Sequence, residues 1–295
     1  MEWGLRPNPI HPESRLAHDN AAVTLEYEPT LISSTARYPT MNASEHLVAA
    51  AEVISLALTR GQMRTSAIAA LCRIAMESAA KTIWLISEAD TEERLRRCYG
   101  FTKAEHGWQD KFDELEHQAL SARTDPLVDT QRAKFEQHRL RFAKKIAQID
   151  ALPPDARMGP PGPMDIVGEA EDWMNENRPR EPDHELDKVI HPRSAKSFYS
   201  LGSGFVHGFK WMSGYLFDPS GKELDDSGLL EVTLVAFGNA IRMTECAVAL
   251  FEAQSVGPQP APRRTRNCPA GIADTVAEWA ARFRIASPDG PKIYT

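Results

Sequence analysis

The apolar residues of this chain recur at helical spacing over most of its length, and the period-2 alternation of strands is almost absent. Between Arg64 and Ser87 they form one stripe at about 100° per residue, and a second stripe runs from Asp225 to Gln254. The stripes consist of Ile68, Leu71, Cys72, Ala75, Ala79, Ile83 and Ile86, and of Leu230, Leu234, Phe237, Ile241, Val248 and Phe251. The pattern predicts core helices, and an all-α helical bundle as the fold class.

The chain divides into three predicted regions. Residues 1–40 carry five prolines and few periodic apolar positions, so we predict an N-terminal arm that either lies on the body or is partly free. Residues 41–254 are predicted to form the helical domain, whose first helix begins at Asn42 or Ser44 because either side chain suits a helix N-cap. Residues 255–295 are predicted to be a Pro-rich, basic linker and a C-terminal amphipathic helix.

A helical hairpin is predicted inside the helical domain. Residues 91–150 are charged and helical in composition, with expected breaks at Tyr99–Gly107 and Thr124–Pro126, and we predict that they protrude as a hairpin. Their sparse apolar residues are expected to bury one narrow seam, namely Phe112, Leu115, Leu120, Phe135, Leu140, Phe142, Ile146 and Ile149. Residues 151–192 are predicted to be a Pro-rich loop region, because 152–165 contain five prolines and two glycines, with a short helix from about Ile166 to Glu176.

One segment combines aromatic residues, glycines, serines and a histidine in a single helical period. It runs from Arg193 to Met212 and reads RSAKSFYSLGSGFVHGFKWM. A glycine inside a helix costs roughly 1 kcal/mol relative to alanine, and four glycines interrupt the apolar rows of this segment and its continuation: Gly202, Gly204 and Gly208 inside it and Gly214 just after it. We therefore expect either close contact with another backbone or a helix that is broken near Gly202.

Packing this segment on the helix of Arg64–Ser87 predicts a polar centre. The expected packing places Gly204 and Gly208 on Ala80 and Trp84. It brings four side chains within reach of one another: Arg73, Glu77, Ser203 and His207. A buried arginine requires a charged partner, and Glu77 one turn away supplies it. The histidine is then expected either to donate to Glu77 or to lie at the mouth of a cleft and bind a ligand.

Several enzymatic signatures are absent from the sequence. In LGSGFVHG, Leu201 and Phe205 occupy the positions that glycines hold in a G-x-S-x-G nucleophile elbow. In HELDKVIH, Lys188 stands where a zinc-binding H-E-x-x-H helix needs its second histidine. No Walker or Rossmann glycine pattern occurs, so we predict neither a metal nor a cofactor. Ser203 and His207 have the spacing of a nucleophile and a base, but without a third group or an oxyanion donor this spacing favours a buried, hydrogen-bonding histidine.

Charge is distributed unevenly along the chain. The net charge of −7 argues against a nucleic-acid surface that extends over the whole protein. Gln131–Lys145 and Arg263–Arg266 are basic, and each predicts either a contact with phosphate or, more often for a charged amphipathic helix, a solvated surface. RNA is therefore a candidate partner of the hairpin. Arg132 and His138 match the spacing R-x(4–6)-H, in which the arginine holds phosphate and the histidine assists RNA cleavage.

The sequence contains no targeting or membrane signal. No basic-then-apolar leader is present, and no run approaches the roughly 20 apolar residues of a membrane helix. The four cysteines lack C-x-x-C spacing and are interpreted as reduced thiols, so we predict a cytoplasmic protein that does not bind a membrane.

Two patterns concern binding partners. Apolar residues on more than one helix face, around Trp84 and from Phe198 to Trp211, predict a homo-oligomer. The C-terminal helix is expected to pack on the body or on a protein partner, through a face that contains Val276, Trp279, Ala280 and Phe283. The hairpin is the second candidate site for a protein partner.

Two segments together resemble a known family. RIAMESAAKTIWLI (73–86) and YSLGSGFVHG (199–208) are similar to segments of HEPN-type domains in prokaryotic helical proteins, over Asn42–Ser87 and Arg193–Ala253. The resemblance implies a four- or five-helix bundle, often dimeric, and in many members a ribonuclease of toxin or defence systems. This chain departs from the catalytic pattern, because its Arg-x(5)-His lies in the hairpin and Ala133 replaces the usual polar residue after the arginine.

The sequence thus leads to two functional hypotheses. The first is a non-catalytic helical interaction or regulatory protein in a prokaryotic defence or stress context, since no complete catalytic set is visible. The alternative, which the resemblance implies, is a HEPN-like ribonuclease or toxin/defence effector with Arg132 and His138 as its catalytic residues.

Overall fold

The computed structural model describes residues 2–177, 195–215, 217, 220–222, 225–257 and 270–284. These residues are largely helical and contain no β-strand, which confirms the predicted all-α fold. They belong to two compact units. The first unit comprises the described residues of Met1–His18, Ala36–Ala89 and Pro161–Thr295, and the second those of Asp19–Thr35 and Asp90–Pro160.

The described residues form a series of α-helices. In order they are α1 (Glu2–Leu5), α2 (Arg15–Ala21), α3 (Leu31–Arg60), α4 (Thr65–Ile86), α5 (Thr91–Ala122), α6 (Val128–Asp150), α7 (Pro163–Glu176), α8 (Ala195–His207), α9 (Asp226–Ser255) and α10 (Ala273–Arg282). Short 3-10 segments lie at Pro154–Ala156, Lys210–Tyr215 and Ala270–Ile272. The helices predicted at 64–87 and 225–254 correspond to α4 and α9.

Some predicted features lie outside the described residues. They include the basic cluster Arg263–Arg266, Cys268 and the end of the Pro-rich region, with Lys188. The other three cysteines, Cys72, Cys98 and Cys246, are free and buried. Burial raises the pKa of Cys72 to about 12, so at neutral pH this thiol is protonated and unreactive.

The first long helix begins earlier than the sequence predicts. α3 begins at Leu31, so the predicted starts at Asn42 and Ser44 are wrong. Asn42 Nδ2 donates a hydrogen bond to Ser78 Oγ at 2.8 Å. Ser44 Oγ donates to the carbonyl oxygen of Thr40 at 3.0 Å. Both side chains therefore bind groups other than the free backbone amides of a helix start, and the chain before them is already helical.

The core of the first unit lies between α4 and α9, and α7 and α8 also pack on α4. Ala75 and Ile83 of α4 are fully buried, and Val248 and Phe251 of α9 are buried as well, as the two apolar stripes predict. Leu234, from the first half of the α9 stripe, is instead 44% exposed. The C-terminal half of α9 is therefore the part that belongs most fully to the core.

α9 is long and apolar enough to cross a membrane by its length and composition. However, 67% of its most apolar window, within Ser227–Ser255, is buried in the structure. Such burial is typical of the core helix of a soluble protein, so this helix is weak evidence for a membrane span.

The described ends of the chain contribute to the first unit. The Trp3 ring is 2% exposed and meets the Phe251 ring edge-on at 5.8 Å, and its Nε1 donates to Glu252 Oε1 at 2.6 Å. In α10, Trp279 is 2% exposed and meets Trp173 edge-on at 5.2 Å. The apolar face of the C-terminal helix is therefore packed against this same chain.

α5 and α6 form an antiparallel hairpin in the second unit, joined by residues 123–127. α5 is continuous, so the predicted break at Tyr99–Gly107 is wrong. Gly100 lies inside α5, and a Cβ at this position would overlap the carbonyl oxygen of Met158. Only glycine therefore fits at this point of the helix. The Met158 amide also donates to the Arg96 carbonyl oxygen at 2.9 Å. The Pro-rich loop that follows α6 therefore packs directly on the helix at this glycine.

The seam of the hairpin differs from the predicted seam. Asp113 and Leu120 of α5 and Phe142 and Ile149 of α6 are buried. Three residues that the sequence assigns to the seam are exposed instead: Phe112, Leu115 and Leu140. The rotation of α5 follows contacts made by polar residues, such as the edge-on packing of His106 on the Phe142 ring at 5.3 Å. Its most apolar row is consequently turned toward solvent.

Candidate functional site

A polar network lies between α4 and α8 in the first unit. Arg73 Nε donates to Ser203 Oγ at 3.1 Å, and Arg73 Nη2 donates to the Tyr199 hydroxyl at 2.7 Å. The same Nη2 lies 3.1 Å from Glu77 Oε2, and the side chains of Arg73 and Glu77 are 18% and 17% exposed. The structure thus brings together three residues of the predicted polar centre, Arg73, Glu77 and Ser203, and adds Tyr199.

Glu77 is the anion of this network. It accepts hydrogen bonds from Lys81 Nζ at 2.9 Å and from the Tyr199 hydroxyl at 3.1 Å. Burial opposes ionisation of the carboxyl, but the hydrogen bond and charge of Lys81, together with the charge of Arg73, outweigh burial and lower the pKa of Glu77. Burial and the negative charge of Glu77 raise the pKa of Tyr199. At neutral pH the network therefore contains one carboxylate, two cations and a protonated tyrosine.

Gly202 permits the close approach of α8 to α4. A Cβ at this position would lie 2.7 Å from Arg73 Cβ and 3.5 Å from the Ala69 carbonyl oxygen. α8 runs through Gly202 without a break and ends at His207. Of the two alternatives from the sequence, close backbone contact is therefore the one that the structure contains.

The two glycines that were expected to contact α4 lie elsewhere. A Cβ on Gly208 would have nothing within 4 Å, and one on Gly204 would meet residues of the following 3-10 segment. The prediction that Gly204 and Gly208 pack on Ala80 and Trp84 is therefore wrong. Gly202 shares a helix face with the tyrosine and serine of the network, so it is the glycine that lets their side chains reach α4.

Ser203 and His207 do not form a nucleophile–base pair. Ser203 Oγ donates its hydrogen to the Tyr199 carbonyl oxygen at 2.9 Å. His207 is exposed, and its ring stacks on Phe209 at 5.5 Å. Among the described residues, no hydrogen bond joins His207 to Ser203 or to Glu77. The serine hydroxyl is consequently engaged in the structure of α8, and the histidine lies outside the network.

Tyr199 and Lys81 belong to the network but not to the predicted centre. Tyr199 precedes Ser203 by four residues, and Lys81 follows Glu77 by four. Side chains at this spacing are neighbours on a helix surface. The sequence therefore carries a local signal for both residues once the centre itself is proposed.

A cavity of about 260 Å³ opens beside α8. It is lined by Ser66, Gly204, Phe205, Gly208, Phe209, Lys210 and Met212. None of the side chains of the polar network lines this cavity. The part of the chain that the structure describes also contains no group of three or more His, Cys, Asp or Glu side chains that could hold a metal ion. The network therefore has the geometry of a structural link between α4 and α8.

Arg132 caps the C-terminal end of α5. Its Nη2 donates to the carbonyl oxygens of Leu120, Ser121 and Arg123 at 2.8, 3.2 and 3.0 Å. Its Nε also donates to the Leu120 carbonyl oxygen, at 3.1 Å. The last carbonyls of a helix lack partners within the helix, and a cation is favourable at this end. The guanidinium is therefore occupied by helix capping.

His138 contacts a different part of α5. Its Nε2 lies 3.2 Å from Gln109 Nε2 and 3.4 Å from Asp113 Oδ2, and the Asp113 side chain is 4% exposed. The imidazole stacks on Phe135 at 6.5 Å and on Phe142 at 6.3 Å. The described contacts bring Arg132 and His138 to separate groups, so they do not assemble the pair that RNA cleavage would require.

An exposed apolar row runs along α5. Trp108, Phe112 and Leu115 are 71%, 59% and 64% exposed. Their spacing of i, i+4 and i+7 places them on one helix face. Lys111 Nζ lies 4.3 Å from the centre of the Trp108 ring, which adds a positive charge beside the row.

Basic residues of α6 line the same side of the hairpin. Lys134, His138 and Arg141 are exposed, and each directly precedes a residue that is at least partly buried, namely Phe135, Arg139 and Phe142. The apolar row of α5 has the same offset, because Phe112, for example, directly precedes the buried Asp113. In antiparallel helices, residues one position before the seam emerge on the same side. We call this surface the aromatic–basic face, and it consists of Trp108, Phe112, Leu115, Lys134, His138 and Arg141.

Comparison with known proteins found no match: no family model, no curated protein and no solved structure matches this chain. The resemblance to HEPN-type domains therefore stays a prediction. The described fold and contacts define an all-α protein with a self-satisfied polar network in one unit and an exposed aromatic–basic face in the other.

Proposed function

We propose that the protein is a non-catalytic interaction protein that binds a macromolecular partner through the α5–α6 hairpin. The observation that carries this proposal is the exposed row of Trp108, Phe112 and Leu115 on a single helix face. Soluble proteins seldom leave large apolar side chains contiguous and exposed unless the surface binds something. Aromatic residues are also the side chains that most often supply binding energy at interfaces.

The state of the other candidate sites supports the same function. The hydrogen-bonding groups of Arg73 and Ser203 serve the link between α4 and α8. The apolar face of α10 is used within the first unit, where Trp279 is 2% exposed. Of the two candidate binding sites for a protein partner, the hairpin is therefore the one with a free apolar surface.

The ribonuclease alternative lacks a supporting contact. Its two candidate residues, Arg132 and His138, bind different parts of α5. We therefore place the chain among interaction proteins, and propose that it acts in the cytoplasm of a prokaryote in a defence or stress context. The resemblance to HEPN-type proteins and the unpaired cysteines support this setting.

Self-association is a further part of the proposal that needs its own measurement. Trp84, from which the sequence in part predicts a homo-oligomer, is 2% exposed, so its apolar surface is satisfied within the chain. In the stretch from Phe198 to Trp211, Phe198 is buried, but Val206, Phe209 and Trp211 are 41%, 51% and 50% exposed. A homo-oligomer would therefore use the exposed end of this stretch rather than Trp84. Light scattering of the purified protein at micromolar concentration measures the mass directly.

Site-specific photo-crosslinking in cells tests the proposed function. A photoreactive phenylalanine analogue is placed at Phe112 of the hairpin, and at Leu58 of α3 as the control. The two positions match in exposure, at 59% and 58%. We expect a discrete crosslinked product from position 112 and none from position 58. The absence of a product at 112, or the same products from both positions, would contradict the proposal.

A further inference from the structure

We infer that the partner of the aromatic–basic face is single-stranded nucleic acid. The inference rests on the proposed function and names the class of partner. Proteins that bind single strands combine exposed rings, on which bases stack, with a positively charged track for the phosphates. The aromatic–basic face contains both components side by side.

The rings are arranged for stacking. Trp108 and Phe112 are separated by one helical turn, which is a rise of about 6 Å along α5. Both side chains are more than half exposed, at 71% and 59%. Every base offers a flat face to such rings, so the contact does not require a particular base sequence.

The positive charges run parallel to the rings on the neighbouring helix. Contacts across the seam fix which residues are opposite: His138 lies beside Gln109 and Asp113, and His117 stacks on Phe135. Phe112 is therefore next to His138. By continuation along the antiparallel pair, Trp108 lies next to Arg141, and Leu115 lies next to Lys134. The apolar row of α5 and the row of basic residues of α6 thus run side by side.

Three exposed acidic residues of the hairpin emerge on its opposite side. Asp110 and Glu114 each directly follow a residue of the seam, as does Glu136 on α6, whereas Glu105 directly precedes the buried His106 and lies on the ring side. The contact of Glu136 with His117, at 3.8 Å, joins two residues of this opposite side. Although the whole chain is acidic, charge is therefore separated between the two sides, and the side that bears the rings is the positive one.

This arrangement disfavours a second copy of the chain as the occupant. A two-fold interface presents the same surface from both copies. Two aromatic–basic faces would bring the Lys134 and Arg141 side chains of both copies into one interface, and like charges gathered in an interface are unfavourable. A duplex is disfavoured for a different reason, since its bases are stacked and cannot reach the rings.

Binding of labelled oligonucleotides to the full chain tests the inference. Fluorescence anisotropy is measured with a uridine and a thymidine oligonucleotide of about 20 residues and with a duplex of similar length, each long enough for the usual single-strand sites. We expect both single strands to bind in preference to the duplex. Undetectable binding of both single strands, or equal binding of the duplex, would overturn the inference.

Two pairs of variants separate the phosphate and stacking contributions. Lys134→Gln with Arg141→Gln should weaken binding at least about tenfold and lower the slope of log K against log salt by about 1.4, or about 0.7 per lost phosphate contact. Lys144→Gln on the same helix, outside the face, is the matched control. Trp108→Ala with Phe112→Ala should weaken binding without changing the slope, and Leu140→Ala, whose side chain is 66% exposed on the opposite side, is its control. Equal losses in variants and controls would refute the assigned face.

The crosslinking experiment keeps the inference separate from the proposed function. A crosslink from position 112 to a protein, together with no oligonucleotide binding, would overturn the inference and leave the proposed function standing. The partner would then be an acidic amphipathic helix or a similar protein surface, which the same face could hold. No crosslink and no oligonucleotide binding would overturn both.

Discussion

The Arg94 guanidinium and the Asp19 carboxylate form a doubly hydrogen-bonded ion pair in the second unit, with Nε–Oδ2 and Nη2–Oδ1 distances of 2.8 and 2.9 Å. Neither side chain is exposed to solvent. Thr91 Oγ1 adds a hydrogen bond to Asp19 Oδ1 at 2.9 Å. The pair joins residues that are far apart in sequence, since Asp19 belongs to the region predicted as an N-terminal arm and Arg94 to the first turn of α5.

Removing one partner of this pair should strongly destabilise the protein. Asp19→Ala leaves the arginine charge buried and uncompensated, so we expect the free energy of unfolding to fall by about 3–5 kcal/mol. Asp129→Ala is the control, because the Asp129 side chain is 92% exposed in its pair with Arg132 and should contribute less than about 1 kcal/mol. Urea denaturation measures both. Equal effects of the two substitutions would show that the Asp19 pair is solvated.

Glu77 should make the stability of the polar network depend on pH. The folded pKa of Glu77 lies below the ordinary value of a glutamate carboxyl, 4.5. The carboxylate therefore contributes stability that is fully present above the unfolded pKa and is lost as the pH falls through the lower folded pKa. Near pH 7, Glu77→Gln should lower the free energy of unfolding by more than the roughly 1 kcal/mol of an exposed pair.

The pH dependence of this substitution is the sharper measurement. The difference between wild type and Glu77→Gln should shrink as the pH is lowered below about 4.5 and disappear below the folded pKa of Glu77, because the carboxyl is then protonated in the folded state as well. Glu136→Gln is the control, because the Glu136 side chain is 56% exposed and its contact with His117 is long, at 3.8 Å. A difference that stays constant with pH, or a thermal midpoint unchanged by Glu77→Gln at neutral pH, would show that the network adds no electrostatic stability.

Replacing either of two helical glycines with alanine should change the stability of the protein, but in opposite directions. At Gly202 the new Cβ would lie 2.7 Å from Arg73 Cβ, so Gly202→Ala should cost about 1–3 kcal/mol through overpacking. At Gly107 a Cβ would have nothing within 4 Å, so Gly107→Ala should stabilise α5 by up to about 1 kcal/mol. Thermal denaturation of both variants measures the signs. A neutral Gly202→Ala would mean that the contact between α8 and α4 is loose.

The absence of a catalytic pair should be visible in cells. Expression of the protein should leave cellular RNA as intact as in cells that carry an empty vector, because Arg132 is occupied at the end of α5. Gel electrophoresis of total RNA measures this, with His138→Ala and His207→Ala as comparison variants. Degradation that either substitution abolishes would favour the ribonuclease hypothesis over the proposed function.

Local sequence patterns predicted the elements whose formation depends on nearby residues. The α4 stripe, with Ala75 and Ile83 at its centre, has the predicted type and nearly the predicted ends. The i, i+4 pairing of Arg73 with Glu77 could also be predicted from the sequence, since both residues lie within one helix. The start of α3 could not be predicted in this way, because the side chains of the two N-cap candidates form hydrogen bonds with another helix or within α3 instead of capping a helix start.

The prediction of the candidate sites depended more on which helix faces pack against each other. The sequence placed Ser203 beside Arg73, but it assigned the close approach to the wrong glycines and included His207, which lies at the exposed end of α8. Helix periodicity gives the order of residues around an axis and leaves the rotation of one helix against another undetermined. A shift of one residue in that rotation turns a different face toward the neighbour.

The sequence by itself determined that this chain is helical, where its strongest helices run, and that Arg73 and Glu77 are neighbours, because these properties arise within a few turns of one helix. The tertiary structure decided that Gly202 faces α4, that Gly100 lies under Met158, and that Phe112 is exposed while Asp113 is buried. Each of these depends on contacts between residues distant in sequence. The aromatic–basic face is exposed because a more polar row of α5 packs against α6 in the hairpin seam. The contacts that stabilise this packing are made by residues of α6 as well as of α5.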